Sequence, residues 1–259
     1  SPYSVPVSGL IAGNYALTAV ASDNAGTHAT NSIAITVQPR TEWDVSQDFS
    51  LTANPGGPWS YGYMNVLGGA FNLLTHSQYS PDNNGLMVFS WSKNGYEPVA
   101  VYKNQTSQTA ISDGGSGNFP PGTVWFSGGI EGNVDNYGVI RFTVPADKAG
   151  TYRLETAVRT YLDGAACQDA DFWVLKKRIE VFSRFLGPNS GTAYTNIFAL
   201  AAGDTIDFVC GRGQDNMAHG SGLKLQASLK RTLTDTRPTV TITNPPNGAV
   251  FDAPASFTL

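Results

Sequence analysis

Charge is scarce in this chain of 259 residues. Only 14% of its side chains are Asp, Glu, Lys or Arg, and 16 basic against 20 acidic groups leave a formal charge of −4. An acidic balance without a Lys/Arg cluster lacks the electrostatic footprint of a nucleic-acid binder. Three histidines (His28, His76, His219) and two cysteines limit nucleophile and metal chemistry. No His-Glu-x-x-His pattern, Gly-x-Ser-x-Gly elbow or phosphate-binding glycine loop occurs, which removes the sequence signatures of a zinc hydrolase, an acyl-transfer enzyme and a nucleotide site. No run of 18 apolar residues exists, so no helix is expected to span a membrane. The opening Ser1-Pro2-Tyr3 lacks the basic start and apolar region of a signal peptide. Helix signals are weak as well: no 12-residue window keeps an apolar 3.6 period free of Gly, Pro or β-branched interruption.

What the chain does have is turn residues and a core. It holds 28 Gly and 15 Pro, and 41% of residues are hydrophobic, too many for a disordered chain. Low charge with much Thr, Ser, Asn and Gly suits an extracellular β protein, Thr on pleated surfaces and Gly and Asn in turns. Period-two alternation supports this reading. Ile140, Phe142 and Val144 alternate with Arg141 and Thr143. Tyr152, Leu154, Thr156 and Val158 alternate with Arg153, Glu155 and Arg159. Ile206, Phe208 and Cys210 alternate with Thr205, Asp207 and Val209, and Leu223, Leu225, Ala227 and Leu229 with Lys224, Gln226, Ser228 and Lys230. Such strands are expected to keep one face in a core and one in water. Turn clusters separate them, so residues 41–237 are expected to close as an all-β, antiparallel sandwich of jelly-roll type.

The flanks read differently. In residues 1–40, Tyr15, Leu17, Ala19 and Ala21 alternate with Ala16, Thr18 and Val20, Asp23-Asn24-Ala25-Gly26 is a turn, and Ile33, Ile35 and Val37 alternate again. The run from Gly13 to Gly26 resembles the last two strands of a bacterial immunoglobulin-like domain. In residues 238–259, Pro238-Thr239-Val240-Thr241-Ile242 followed by Gly248-Ala249-Val250-Phe251 resembles the first strand and a half of such a domain. The two flanks together are shorter than one immunoglobulin sandwich of roughly 100 residues. The chain is therefore expected to be a piece of a longer multi-domain surface protein.

The central segment carries a resemblance of its own. Asp48-Phe49-Ser50-Leu51, Asn54 to Tyr63, Val139 to Ala146 with Ala149-Gly150-Thr151-Tyr152, and Ala202 to Gly211 together resemble a β-sandwich module of secreted bacterial multi-domain proteins. That family has no firmly assigned activity. Its architecture is similar to jelly-roll carbohydrate-binding modules, which implies glycan binding by analogy of fold alone.

Three constellations are candidates for chemistry. Trp59, Tyr61 and Tyr63 alternate, so one face would carry all three rings. They form either a sugar-stacking platform or a core stripe, and exposed rings favour sugar binding whereas buried rings favour a scaffold. Trp43, Trp91, Trp125 and Trp173 are expected in or near the core. Loops 163–171 and 211–221 gather Asp169, Arg212, Gln214, Asp215 and Asn216 with Asp163, Gln168, Asp171 and His219. That rim could bind sugar hydroxyls, could supply oxygens for Ca²⁺ although no Asp-x-Asp-x-Asp-Gly run is present, or could be solvated loop. Cys167 and Cys210 fall near the same rim. A disulfide is expected there, the alternative being two separate buried thiols. A zinc site is not expected, and neither is any other cofactor. Acids Glu97, Asp113, Glu131 and Asp135 show no pairing pattern, Glu155 and Glu180 read as solvent-exposed, and the sequon Asn104-Gln105-Thr106 reads as accidental.

These readings converge on a non-catalytic extracellular or cell-surface module, glycan-binding or adhesive, with polysaccharide or neighbouring modules as partners. The alternative is a structural spacer in a surface fibre with no small ligand.

Overall fold

The computed structural model describes residues 4–95, 99–129, 137–217 and 219–232. Among them eighteen strands run in chain order: β1 (Gly13–Ser22), β2 (His28–Val37), β3 (Glu42–Asp44), β4 (Trp59–Met64), β5 (Phe71–Leu73), β6 (His76–Pro81), β7 (Met87–Ser92), β8 (Ala100–Lys103), β9 (Ala110–Ser112), β10 (Gly117–Phe119), β11 (Val124–Ser127), β12 (Tyr137–Thr143), β13 (Gly150–Thr160), β14 (Ala170–Lys176), β15 (Ile179–Leu186), β16 (Gly191–Leu200), β17 (Thr205–Gly211) and β18 (Gly222–Thr232). Among the described residues helix is confined to two three-residue 3₁₀ turns, and no helix there is long and apolar enough to cross a membrane.

Strands β3 to β18, apart from the separate β9–β10 hairpin, build a two-layer antiparallel β-sandwich of jelly-roll type. The larger sheet has the order β16-β13-β18-β11-β8-β7-β6, with β3 and β11 sharing one edge of β18. The smaller has the order β15-β14-β17-β12-β4-β5. Both are antiparallel throughout. The alternation read from the sequence becomes a register: Leu154 lies opposite Leu229 and Val158 opposite Leu225, all four facing inward. The core between the layers runs from Trp43 through Tyr152 and Phe208 to Leu229. Each Leu, Val or Phe so buried contributes about 1.5–3 kcal/mol relative to exposure. A disulfide or a metal is not needed to hold a core of this size.

One expectation fails in the smaller sheet. β12 and β17 do not keep a face in water; every residue of β17 after Thr205 is buried. Met64, Val139, Leu175 and Val209 form a second apolar cluster on the outer side, covered by Leu67 from the segment before β5 and by Phe71 at the start of that strand. Asp207, although it alternates with core residues, is shut in there with Arg141.

The hairpin β1–β2 pairs in full register from Gly13↔Val37 to Ser22↔His28, and Asp23 Oδ1 fixes its turn by accepting from the Ala25 and Thr27 amides. Residues 238–259, the expected start of a second immunoglobulin-like module, lie outside the described residues.

Candidate functional site

The aromatic row faces the wrong way for a ligand. Trp59 and Tyr61 are wholly buried, and Tyr63 is half-buried with Lys93 Nζ 5.2 Å from its ring centre. Tyr61 stacks on Phe49 at 4.3 Å, and Trp59 meets Phe142 edge-on at 5.3 Å. Burial pushes the Tyr61 hydroxyl's pKa up. The row is a core stripe, not a sugar platform. Alternation shows that three side chains share a face, but not which face, and β4 lies beside β12 with that side turned to the other sheet. Trp43 and Trp91 join the same core, Trp125 is buried on the far side of the larger sheet, and Trp173 is half-buried against Tyr137.

The rim residues come together, but for the loop's own sake. Asp169 is 9% exposed, and its Oδ1 accepts from the amides of Gln214 at 3.1 Å and Asp215 at 3.4 Å. Gly213, at φ +69°, packs so close that a Cβ there would lie 1.9 Å from that oxygen. Asp169 therefore ties down the 212–216 turn, and Asn216 takes a left-handed conformation within it. Burial raises the pKa of both Asp169 and Asp171 against the backbone bonds that lower it. Arg212 is 5% exposed and already engaged. Of the expected rim set, Gln214, Asp215 and His219 are exposed, Asp163, Gln168, Asp171 and Asn216 are half-buried, and Asp169 and Arg212 are buried. Among the described residues no three His, Cys, Asp or Glu side chains converge as metal ligands.

The expected disulfide is also absent: Cys167 and Cys210 are both free and buried. Cys210 points inward from β17 into the main core, where burial raises its thiol pKa. Cys167 sits in the loop before β14 and its Sγ accepts from the Asn189 amide at 3.2 Å. Proximity along one rim was legible from strand order; the direction of each thiol was not. Asn104 of the sequon is wholly buried, with Nδ2 donating to the carbonyls of Gln108 and Phe119, both at 2.7 Å, so no glycan can be attached to it.

The surface feature with the shape of a binding site is one that the sequence reading did not single out. It is a groove on the outer face of the larger sheet. Its floor is formed where Ala157 of β13 lies opposite Gln226 of β18 and Ala193 of β16, three outward positions with short or amide side chains. The Pro120–Thr123 turn makes a wall. Two adjoining cavities of about 630 and 500 Å³ share Pro120, Thr123, Ala157 and Gln226, within the range of ligand sites. Asp44, Glu155, Thr195 and Ser228 line one end, and Asn118, Arg159, Asp163 and Lys224 the other.

Buried anchors hold that wall. Lys103 Nζ donates to the Ser46 carbonyl at 2.5 Å and to Ser46 Oγ at 2.8 Å, and Ser46 Oγ donates in turn to the Gly122 carbonyl. Burial lowers the Lys103 pKa, opposed by Asp44. Beyond the turn, the β9–β10 hairpin lays Phe119 on Trp125 at 4.0 Å, and Trp125 stacks on Tyr102 at 5.1 Å, interplanar angle 8°. This ring stack covers the neighbouring part of the sheet and leaves the strip over β13 and β18 open. Strand alternation shows that Ala157 and Gln226 face outward. That they share one floor depends on pairing between strands about 70 residues apart.

No protein-family model and no curated protein matches the chain. Solved structures overlap it loosely. CBM51-2 with INT domains of Clostridium perfringens ZmpB, in complex with GlcNAc, overlaps 85% of this chain and 38% of its own at 10% identity, TM-score 0.35. CBM51 from Clostridium perfringens GH95, in complex with methyl-galactose, overlaps 73% of this chain and all of its own at 14% identity, TM-score 0.37. The CBM36-1 domain of a multidomain xylanase, from the hindgut metagenome of Trinervitermes trinervoides, overlaps 52% of this chain and 98% of its own at 14% identity, TM-score 0.30. This chain thus spans little more than a third of the first of these structures. Each contains a carbohydrate-binding module, and at such scores the function of this chain rests on its own geometry.

Proposed function

We propose that the β3–β18 sandwich is a non-catalytic glycan-binding module of an extracellular multi-domain bacterial protein, serving adhesion or substrate targeting. The groove over Ala157 and Gln226 is the binding surface in this reading. The observation that carries it is the pairing of a small-residue floor with polar side chains along an open trough. A sugar ring can approach a floor of Ala side chains closely. Its hydroxyls then find carboxylate acceptors in Asp44 and Glu155 and amides in Gln226 and Asn118 that both donate and accept. Catalysis has little support. His28 does share a hydrogen bond with Ser22 Oγ at 2.6 Å, but on the exposed hairpin, where Asp23 serves the turn instead of orienting the imidazole.

The test is affinity electrophoresis of the chain through gels carrying a panel of soluble polysaccharides. Retardation by at least one polymer supports the reading, and uniform mobility across the panel overturns it.

A specific feature favours the second reading, a spacer whose partners are neighbouring modules. One face of the β1–β2 hairpin carries Tyr15, Leu17, Ile33, Ile35 and Val37, and Ile33 is 58% exposed, while the opposite face carries Asn14, Thr18, Ser32 and Thr36. A two-stranded hairpin is marginal alone and is completed by a second layer. In this reading the hairpin belongs to an immunoglobulin-like module in residues 1–40, a second begins in residues 238–259, and the buried Trp59 and Tyr61 are pure scaffold.

A further inference from the structure

The groove is electrically lopsided. At one end Arg159 and Lys224 lie directly opposite each other on β13 and β18. Like charges at facing positions destabilise a sheet, so strand pairing gives no reason for the arrangement. A single carboxylate serves both: Arg159 Nη2 is 2.5 Å from Asp163 Oδ1, whereas Lys224 Nζ stands 4.0 Å from Asp163 Oδ2. Asp163 is held there by its backbone amide, which donates to the Ser116 carbonyl at 2.7 Å. Two cations against one anion leave this end with one positive charge in excess. The other end carries Asp44 and Glu155, and Glu155 is paired with Arg153 at 2.6 Å.

Of these two cations Lys224 is the less well served by water. Its side chain is 13% exposed, and the ammonium lies 5.0 Å from the centre of the Phe119 ring, which fixes where it points. Burial lowers its pKa, opposed by Asp163, so the charged form lacks stabilisation that a further anion would supply.

We infer that the Arg159–Lys224 end of the groove is a subsite for an anionic substituent on the glycan, a sugar carboxylate or sulfate ester, with neutral sugar extending toward Asp44 and Glu155. This inference rests on the glycan reading of the same groove. Asn118 and Gln226, which line the same cavity, supply donors for the hydroxyls beside the anionic group. The fork of Arg159 matches a carboxylate or sulfate with two parallel hydrogen bonds, and the fixed ammonium of Lys224 adds a point charge. The excess charge then binds a ligand in one direction along the trough.

The experiment compares polygalacturonate, the same polymer after carboxyl reduction, and a sulfated galactan in affinity electrophoresis at low and at physiological salt. Wild type and Lys224→Met are run side by side, since Met keeps the apolar stem against Phe119 and removes only the charge. The expected result is about tenfold tighter binding of an anionic polymer than of the reduced one, a preference that Lys224→Met loses. Preference for polygalacturonate assigns the carboxylate and preference for the galactan assigns the sulfate. Equal binding of all three polymers overturns the anionic subsite and leaves the glycan groove standing, as does an anionic preference that survives Lys224→Met. Binding of none, together with a silent neutral panel, overturns both.

Discussion

Arg141 and Asp207 face each other on β12 and β17 and meet through two parallel hydrogen bonds, Nε to Oδ1 at 2.6 Å and Nη2 to Oδ2 at 2.8 Å. The carboxylate is wholly buried, and the guanidinium lies 4.1 Å from the centre of the Phe71 ring. Burial raises the Asp207 pKa, and Arg141 opposes that shift. The pair is thus a buried ion pair on the outer side of the smaller sheet, under the segment that covers it. Removing one member strands the other in a dry site. Arg141→Ala is expected to cost roughly 3–5 kcal/mol, while the double replacement Arg141→Met with Asp207→Leu recovers most of that loss. Urea unfolding measures both. A loss below about 1 kcal/mol in the single variant would show that water reaches Asp207 freely.

The groove floor gives the most direct test of where a sugar binds. Ala157 is an outward, exposed position on β13, so Ala157→Trp is expected to change stability by no more than about 0.5 kcal/mol. The indole fills the trough between the Pro120 turn and Thr195 and abolishes retardation by any polymer that wild type binds. Retention at the wild-type level would move the binding site elsewhere.

The free cysteines predict a redox-silent protein. Mass spectrometry after alkylation in denaturant is expected to find two modified thiols, and reductant to leave the melting temperature unchanged. In the native state Cys210 is expected to resist alkylation, because burial raises its pKa and encloses its sulfur. A mass two hydrogens lighter, with no alkylation before reduction, would instead show that the bridge forms.

Asp169 predicts a pH signature. Its folded pKa is raised, chiefly by burial, with Asp215 nearby adding to the rise. The folded protein therefore holds the proton more tightly than the unfolded chain. The stability linked to that proton is fully present below the ordinary carboxylate value of about 4 and is lost as pH climbs through the raised value. Asp169→Asn keeps an oxygen for the Gln214 and Asp215 amides but cannot ionise. The variant's melting temperature is expected to gain on wild type as pH climbs from 3.5 through the raised value, and to hold that gain above it. A difference that stays flat over that range would mean that the carboxylate is not desolvated. Asp207 shifts in the same direction but is common to both proteins and cancels in the comparison, whereas the Asp171 rise, to which the Asp169 charge contributes, shrinks in the variant and adds to its gain.

The fold class was legible because alternation is local. Tyr152 to Arg159 and Leu223 to Lys230 declare two faces with no knowledge of the rest of the chain, and Gly and Asn clusters declare where each strand stops. Strand order also placed Cys167 and Cys210 toward one rim. The coverage of Asp207 and Val209 was not legible, since it comes from Phe71 and Leu67, more than 130 residues away.

The chain's own pattern of residues thus determined that it would be an antiparallel β protein, low in charge and without a motif for phosphate or zinc chemistry. Only the tertiary structure decided that Trp59 and Tyr61 point inward, that the two thiols stay apart, and that Ala157, Gln226, Arg159 and Lys224 share one trough. Period two divides a strand into two faces but does not name them. The pairing of strands distant in sequence, driven by burial of the larger apolar face of each, assigns one to the core and the other to solvent.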